Sequence, residues 1–440
     1  MAETLIIAAP ASGSGKTLIT LSLLALMRQR GVLVSSAKVG PDYIDPAFHA
    51  AATGRDCLNL DPWAMGAGDL ARHLETAARD AELLVIEGVM GLFDGTADGS
   101  GSTADLAARF GLPVVLVLDC SRQGRSVAAV AAGFKNFRKD VNVAGIILNR
   151  VASERHGETL ATFVEEATGL PVVGKVMRRA DMELPSRHLG LVQAAEHADM
   201  AAFLERAADT VARDISLCRL ANLTRPLRIP DTLRSPARRL PPLGQRIAVA
   251  HDEAFAFAYP HMLKDWRAQG AEILPFSPLA DEPPHPDADA VFLPGGYPEL
   301  HAGRLSACSA FREGMTRAAE RGALIYGECG GYMVLGETLE DAEGAIHSMC
   351  GLLPLSTSFA KRKLHLGYRK LEHHSPLPFP ARLRGHEFHY ATTTAAGDLP
   401  PLFLARDSLG KELAPMGMRK DRVTGSFAHV ISCAPPEPAS

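Results

Sequence analysis

Two clusters of residue types in this 440-residue chain could do covalent chemistry, and they lie in different halves of it. In the second half the apolar run Ala323-Leu324-Ile325 breaks into Tyr326-Gly327-Glu328-Cys329-Gly330-Gly331-Tyr332. A short apolar segment running into glycines reads as a strand, a sharp turn and a helix, which lifts one side chain out at the carboxyl end of a sheet. Cys329 holds the lifted position. The N-terminus of the following helix is expected to favour its thiolate, the nucleophilic form. In the first half, Ser12-Gly13-Ser14-Gly15-Lys16-Thr17 follows a strand-like run and opens a helix. Glycines there let successive backbone N–H groups turn toward a phosphate chain, while the lysine reaches the outer phosphates and the threonine hydroxyl ligates Mg²⁺. One position departs from the pattern G-x-x-x-x-G-K-S/T: its first glycine falls on Pro10. The two clusters together imply that one polypeptide activates a substrate with ATP and attacks it with something a cysteine released.

Other residues can complete each cluster. Glu87 closes the apolar run Leu83-Leu84-Val85-Ile86 and so stands at the carboxyl end of a buried strand, where a second Mg²⁺ ligand or a base belongs; a solvated strand end is the plain alternative. The run continues as Gly88-Val89-Met90-Gly91-Leu92-Phe93-Asp94-Gly95, which brings Asp94 to the same face. Lys38-Val39-Gly40-Pro41-Asp42-Tyr43-Ile44-Asp45-Pro46 concentrates a lysine, two aspartates and a tyrosine in one loop. Asp42 suits a metal, and Lys38 suits a phosphate or a substrate carboxylate; the alternative is a polar surface loop. In the second half, Leu293-Pro294-Gly295-Gly296-Tyr297-Pro298-Glu299 ends a strand with paired glycines whose amides could hold an oxyanion formed at Cys329. The base for that thiol is either His429, in Gly425-Ser426-Phe427-Ala428-His429, or His386 or His389, in Gly385-His386-Glu387-Phe388-His389-Tyr390. The latter group could also be read as a metal site, but no matching carboxylate–histidine spacing or cysteine pair completes it.

Elements that would position these residues are legible. From Leu5 to about Pro171 the strand candidates Leu5–Ala9, Leu33–Lys38, Leu83–Glu87, Val114–Leu118 and Ala144–Leu148 alternate with helical stretches such as Thr17–Arg30, Ser102–Phe110 and Arg125–Phe137. The strands are Val/Ile/Leu-rich throughout, as in a parallel sheet covered on both faces, with ligands at the strands' carboxyl ends. Residues 219–244 lose every apolar period and alternate Pro with Arg, which predicts a linker or surface strap. A second α/β pattern restarts at Arg246–Ala250 and continues through Ala290–Leu293, Ala323–Tyr326 and Val423–Ser426. The expected domains are therefore 1–218, the linker 219–244, and 245–434, with a frayed tail over Pro435–Ser440. At 47% hydrophobic and 22% charged, with net charge −4 and dispersed basic residues, the composition gives no reason to expect nucleic acid. No apolar run approaches the ~20 residues of a membrane span. Seven scattered cysteines without a Cys-x-x-Cys pair argue against disulfides and zinc, and for the cytoplasm.

Taken in order, the phosphate loop, KVGPDYIDP, VIEGVMGLFDG, LPGGYPEL, YGECGGYMVLG, GHEFHY and GSFAH resemble the cobyrinate or hydrogenobyrinate a,c-diamide synthase family over nearly the whole chain. The resemblance implies an α/β protein: an N-terminal P-loop doubly wound parallel sheet, of the dethiobiotin-synthetase-like ATPase type, fused to a C-terminal class I glutamine amidotransferase α/β domain. It implies ATP, Mg²⁺, glutamine and a corrinoid tetrapyrrole as ligands, and the making of two amides on that ring in cobalamin biosynthesis. It implies Cys329 as the glutaminase nucleophile and His429 as its base. Lys16 and Thr17, with Ser12, Gly13, Ser14 and Gly15, would bind ATP, and Asn149 would face the adenine. Thr17, Glu87 and Asp42 would form the metal site, and Lys38, Tyr43, Asp45 and Asp94 would meet the acceptor carboxylate. Two departures carry meaning. Many class I amidotransferases place a glutamate two residues after the histidine; here that position is Ile431, which predicts a Cys-His dyad. Partitioning ATPases with a related loop carry a second lysine where this chain has Ala11, which argues against a dimerising switch ATPase. Kept as alternatives are amidation of another tetrapyrrole (by a Ni-sirohydrochlorin a,c-diamide synthase or a cobyric acid synthase), a P-loop switch protein, and a cysteine hydrolase with a regulatory nucleotide domain. The linker is compatible with a homodimer.

Overall fold

Strands buried on both faces form the centre of the N-terminal half. The computed structural model describes residues 1–179, 199–234, 236 and 238–435, with strand backbone at 186–187 and 190–191. The chain divides into two units, Met1–Ala237 and Arg238–Ser440. In the first, β1 (Glu3–Ala8), β2 (Val34–Val39), β3 (Leu58–Leu60), β4 (Leu83–Glu87), β5 (Val114–Asp119), β6 (Val143–Val151) and β7 (Val172–Met177) pair in parallel. Their order is β3-β2-β4-β1-β5-β6-β7. The connection from β1 runs toward β2 on one side and that from β4 toward β5 on the other, so the crevice at the carboxyl ends of these two neighbours is the place for a ligand. The phosphate loop starts there and leads into helix α1 (Lys16–Gln29). Helix α2 (Ile44–Thr53) follows β2. Over β4, helix α3 (Thr103–Phe110) is opened by a capping box in which Ser102 and Asp105 each satisfy the other's backbone N–H.

Part of the Pro/Arg-rich stretch is held by this unit. Arg225–Pro226 pairs antiparallel with Thr4 and Glu3, and the Leu227 N–H donates to the Ala2 carbonyl at 2.9 Å. Proline fits because an edge pairing of two residues leaves its missing N–H without consequence.

The second unit has its own mostly parallel sheet. Its strands are β8 (Arg246–Ala250), β9 (Glu272–Phe276), β10 (Ala290–Leu293), β11 (Leu324–Glu328) and, much later in the chain, β14 (Met418–Lys420) and β15 (Val423–Ser426). They run in the order β9-β8-β10-β11-β15-β14, with only the last pair antiparallel. A second, antiparallel layer was not expected from the sequence: β12 (His365–Glu372), β13 (Arg382–His389) and β16 (Ala428–Cys433), with Leu404–Arg406 at the edge. It carries all three histidines considered as bases. The expected tail lies outside the described residues beyond Pro435. Among the described residues, no helix is long and apolar enough to cross a membrane.

Candidate active site

In the first unit the site is built on the carboxyl ends of β1, β2 and β4. Gly13 and Gly15 take φ of 78° and 92°, a backbone only glycine adopts without strain, and so turn the loop back over the start of α1. A side chain at Gly15 would also meet Asn149, whose Nδ2 donates to the Ser14 carbonyl at 2.9 Å. Asn149 thus ties the end of β6 to the loop. Both line a cavity of about 680 Å³ with Gly13, Lys16, Thr17 and Arg122. Lys16 Nζ donates to the Met90 carbonyl at 2.5 Å and, more weakly, to that of Ala11. Burial, and then the charge of Lys38, lower its pKa to about 8.

Behind the loop lies a buried charge network. Glu87 is fully buried at the end of β4. Its Oε1 accepts from Thr17 Oγ1 at 2.7 Å and from Lys38 Nζ at 2.8 Å, and its Oε2 lies 2.7 Å from His49 Nε2. Burial alone would raise this carboxyl, but Lys38 and His49 hold it well below the ordinary range. Lys38 is buried too. Its three donors go to Asp45 Oδ2 at 2.5 Å, Glu87 and the Gly88 carbonyl, so it stands as a counter-ion and not as an open cation for a substrate carboxylate. Despite burial, Asp45 and Glu87 hold its pKa up.

The two aspartates of the loop exchange their expected places. Asp42 Oδ1 accepts from the backbone N–H groups of Ile44 and Asp45, at 2.8 and 3.0 Å, and so caps the first turn of α2. Asp45 instead reaches inward, with Oδ2 3.4 Å from Thr17 Oγ1. Burial and Asp42 raise its pKa to about 7. The oxygens that could share an Mg²⁺ are therefore those of Thr17, Glu87 and Asp45, an all-oxygen set that suits this hard cation. Tyr43 immediately precedes α2, and Asp94 lies exposed at the loop's outer edge, its Oδ2 accepting from the Gly91 N–H at 2.8 Å. His49, held between Glu87 and the Cys57 thiol at 3.4 Å, was missed from the sequence; it lies one helical turn past Asp45 on α2, the spacing that puts both on one face.

In the second unit Cys329 takes φ 46° and ψ −104° between β11 and the short helix Gly330–Leu335. This strained turn is the elbow expected from the glycines. Gly331 is required, because a Cβ there would meet the Leu293 carbonyl oxygen at 2.0 Å. The Cys329 N–H donates to the Ser426 carbonyl at 2.8 Å, which locks the elbow to β15. The surroundings of the thiol oppose the thiolate that a helix N-terminus favours. Burial raises its pKa strongly, Glu299, Glu387 and Glu328 add to the rise, and the Gly330 N–H only partly opposes it. Six residues of helix are too short a dipole to reverse three carboxylates.

Geometry separates the candidate bases. A Cβ placed on Gly295 would lie 3.1 Å from His429 Nε2 and 3.4 Å from Cys329 Cβ, so those two side chains flank one point. His386 sits opposite His429 across the β13–β16 pair, buried, with its pKa lowered to about 3 by burial and then by His429. His389 Nε2 is engaged by Glu387 at 3.0 Å. The histidines His365 and His389 with Glu387 have ligand-type atoms within 4.8 Å, yet the two rings are stacked at 4.7 Å with 4° between planes. Lone pairs of parallel rings point side by side, not at one ion, and Arg369 donates to the other Glu387 oxygen at 2.6 and 2.8 Å. Arg369 and Glu387 form an ion pair that His389 joins by a hydrogen bond. Gly296 is equally confined, with the Ala254 carbonyl oxygen 2.0 Å from where its Cβ would be. Gly295→Ala is expected to push the His429 ring, 2.4 Å away at Cε1, off its position and to cut glutamine hydrolysis by about 10²-fold. Steady-state assay of the purified variant checks this; an unchanged rate would mean that the ring position is not critical.

One carboxylate here escaped the sequence reading, which looked for it after His429. Glu328 directly precedes Cys329. Its Oε1 accepts from Tyr326 Oη at 2.8 Å and from the Val430 N–H at 2.9 Å, and its Oε2 stands 3.6 Å from His429 Nδ1. The strand alternation that puts residues 326 and 328 on one face was the available signal.

Each unit has known counterparts. Residues 5–192 match the CobQ/CobB/MinD/ParA nucleotide binding domain, and residues 246–436 match the CobB/CobQ-like glutamine amidotransferase domain. The hydrogenobyrinate a,c-diamide synthase of Brucella anthropi is 56% identical over 430 residues, covering 97% of this chain and 97% of its own. That of Brucella suis biovar 1 has the same identity and coverage. The Rhizobium meliloti enzyme of the same name is 53% identical over 427 residues, 97% of this chain and 98% of its own. Identity above one half that runs through both units, in one order and nearly end to end, leaves a single conclusion: the chain belongs to the hydrogenobyrinate a,c-diamide synthase family.

Proposed function

We propose that this chain is an ATP- and glutamine-dependent ligase that converts the a and c carboxylates of hydrogenobyrinic acid to amides in cobalamin biosynthesis. The observation that supports it most is the presence, in one chain, of a phosphate loop backed by Thr17, Glu87 and Asp45 and a strained Cys329 elbow facing His429. The relatives' names supply the cobalt-free acceptor.

A carboxylate resists amidation because oxide is a prohibitive leaving group; a mixed anhydride with phosphate removes that barrier. An acceptor carboxylate oxygen attacks the γ-phosphorus of ATP and ADP departs. Lys16 and the amides of residues 13–17 take up charge on the phosphates, and Thr17, Glu87 and Asp45 would hold Mg²⁺. Bound there, Mg²⁺ supplies charge neutralisation at the phosphates. Lys38 and His49 keep Glu87 ionised and oriented. In the second unit, Cys329 Sγ attacks the amide carbon of glutamine while its proton passes to His429 Nε2. The N–H groups of Gly295 and Gly296 would meet the oxyanion. Ammonia leaves with that proton, and water then hydrolyses the thioester to glutamate. Ammonia displaces phosphate from the acyl phosphate and the amide is complete. Two such rounds give the diamide. The dependence on ATP fits the cytoplasm.

Product mass tests this reading. With ATP, Mg²⁺ and glutamine, hydrogenobyrinic acid should undergo two successive mass losses, each that of OH replaced by NH₂, and cobyrinic acid should not. Glutamine hydrolysis without change in either ring would transfer the assignment to another polycarboxylate.

Nucleotide binding should also carry a proton signature. In the free protein Lys16 titrates at about 8, and phosphate oxygens beside it would raise that value. Above pH 8 binding must therefore take up a proton, and apparent ATP affinity should fall by up to about tenfold per pH unit. Calorimetry in two buffers of different ionisation enthalpy measures the uptake; identical heats would contradict the placement of Lys16 at the phosphates.

A further inference from the structure

We propose that Glu328, the residue just before the nucleophile, is the positioning residue for His429, so that the glutaminase centre is a triad closed from the nucleophile's own strand. This rests on the amidotransferase reading above and goes beyond it, since the expected position after the histidine holds Ile431.

The geometry carries the argument. Glu328 and His429 are each about 1% exposed. A carboxylate so buried needs its charge and lone pairs answered. Two donors, Tyr326 Oη and the Val430 N–H, converge on Oε1 and fix the carboxylate plane, leaving Oε2 to face His429 Nδ1 at 3.6 Å. The ring's other nitrogen, Nε2, is on the side of Gly295 and Cys329. At 3.6 Å the contact is longer than a hydrogen bond; such contacts shorten when substrate completes a site. A carboxylate at Nδ1 holds the proton there, so Nε2 keeps its lone pair for the Cys329 proton, and it then stabilises the imidazolium that forms. This bears on the raised Cys329 thiol. A thiol that is not ionised at rest needs a base in the correct tautomer at the moment of attack.

The test turns on a comparison that packing alone would not produce. In Glu328→Gln the amide oxygen must stay on Tyr326 and Val430, because the reversed orientation sets an NH₂ against the Val430 N–H. The NH₂ then faces Nδ1 and forces the proton to Nε2. The isosteric variant should therefore lose about 10²- to 10⁴-fold in kcat for glutamine hydrolysis, with KM little changed, and be no better than Glu328→Ala. A merely structural role predicts the reverse order. Tyr326→Phe, which releases one anchor of Oε1, should lose several-fold in kcat. Glu328→Gln retaining kcat to within about tenfold, or clearly outperforming the alanine variant, would overturn the inference. If melting shows that the Glu328 variants are unfolded, Tyr326→Phe decides, and an unchanged kcat overturns it. Absence of Cys329-dependent hydrolysis in the parent chain would instead remove the amidotransferase reading itself.

Discussion

Cys329→Ala should lose glutamine-driven amidation by at least about 10³-fold and keep amidation supported by added ammonium salts. The expectation follows from where Cys329 sits. Cys329 belongs to the unit Arg238–Ser440, and every group placed at the phosphate chain belongs to Met1–Ala237. Removing one sulfur from a buried elbow leaves Thr17, Glu87 and Lys16 untouched, so acyl phosphate still forms and awaits ammonia from any source. Parallel assays with glutamine and with ammonium, each followed by product mass, separate the two activities. A folded variant that ammonium cannot rescue would show that Cys329 is not a dedicated ammonia source.

Lys16→Ala should abolish both routes, with a fall of about 10² to 10³-fold or more, because phosphate activation precedes either. Stability is not the expected cause. Lys16 is a partly desolvated cation beside Lys38, and its removal relieves repulsion in a network that Lys38, Glu87 and Asp45 hold without it. Melting should be near that of the parent. Glutamine hydrolysis measured in the same variant reports on Cys329 separately, and retained diamide synthesis would refute the placement of ATP at this loop.

How far these sites could be read in advance depends on what each residue contacts. The runs at Leu83–Glu87, Arg246–Ala250 and Ala290–Leu293 coincide with strands because residues covered on both faces must be largely apolar. Neither His365–Glu372 nor Arg382–His389 shows such a run. Their charged side chains answer one another within the layer, as Arg369 and Glu387 do, so no apolar period marks them. The exchange of Asp42 and Asp45 has a similar origin. Which of two aspartates three positions apart caps a helix depends on where the helix begins, and that boundary is set by the whole loop. Lys38 read as a substrate cation because its depth was invisible; the two buried carboxylates that claim it come from other elements. The raised Cys329 thiol has the same origin. A dipole argument uses only local sequence, whereas Glu299 and Glu387 reach the thiol across the fold.

The pairing of β11 with β15 has a consequence in time. Ile325 lies opposite Val423, and the Cys329 amide hangs on Ser426, so strands almost a hundred residues apart must join before the elbow is locked. Closing so long a loop adds little to the equilibrium cost but slows assembly, because its entropy is lost before the contacts form. During synthesis Cys329 therefore emerges well ahead of the strand that carries His429. Until that pairing forms, a chain still being made lacks the bond that fixes the backbone at Cys329.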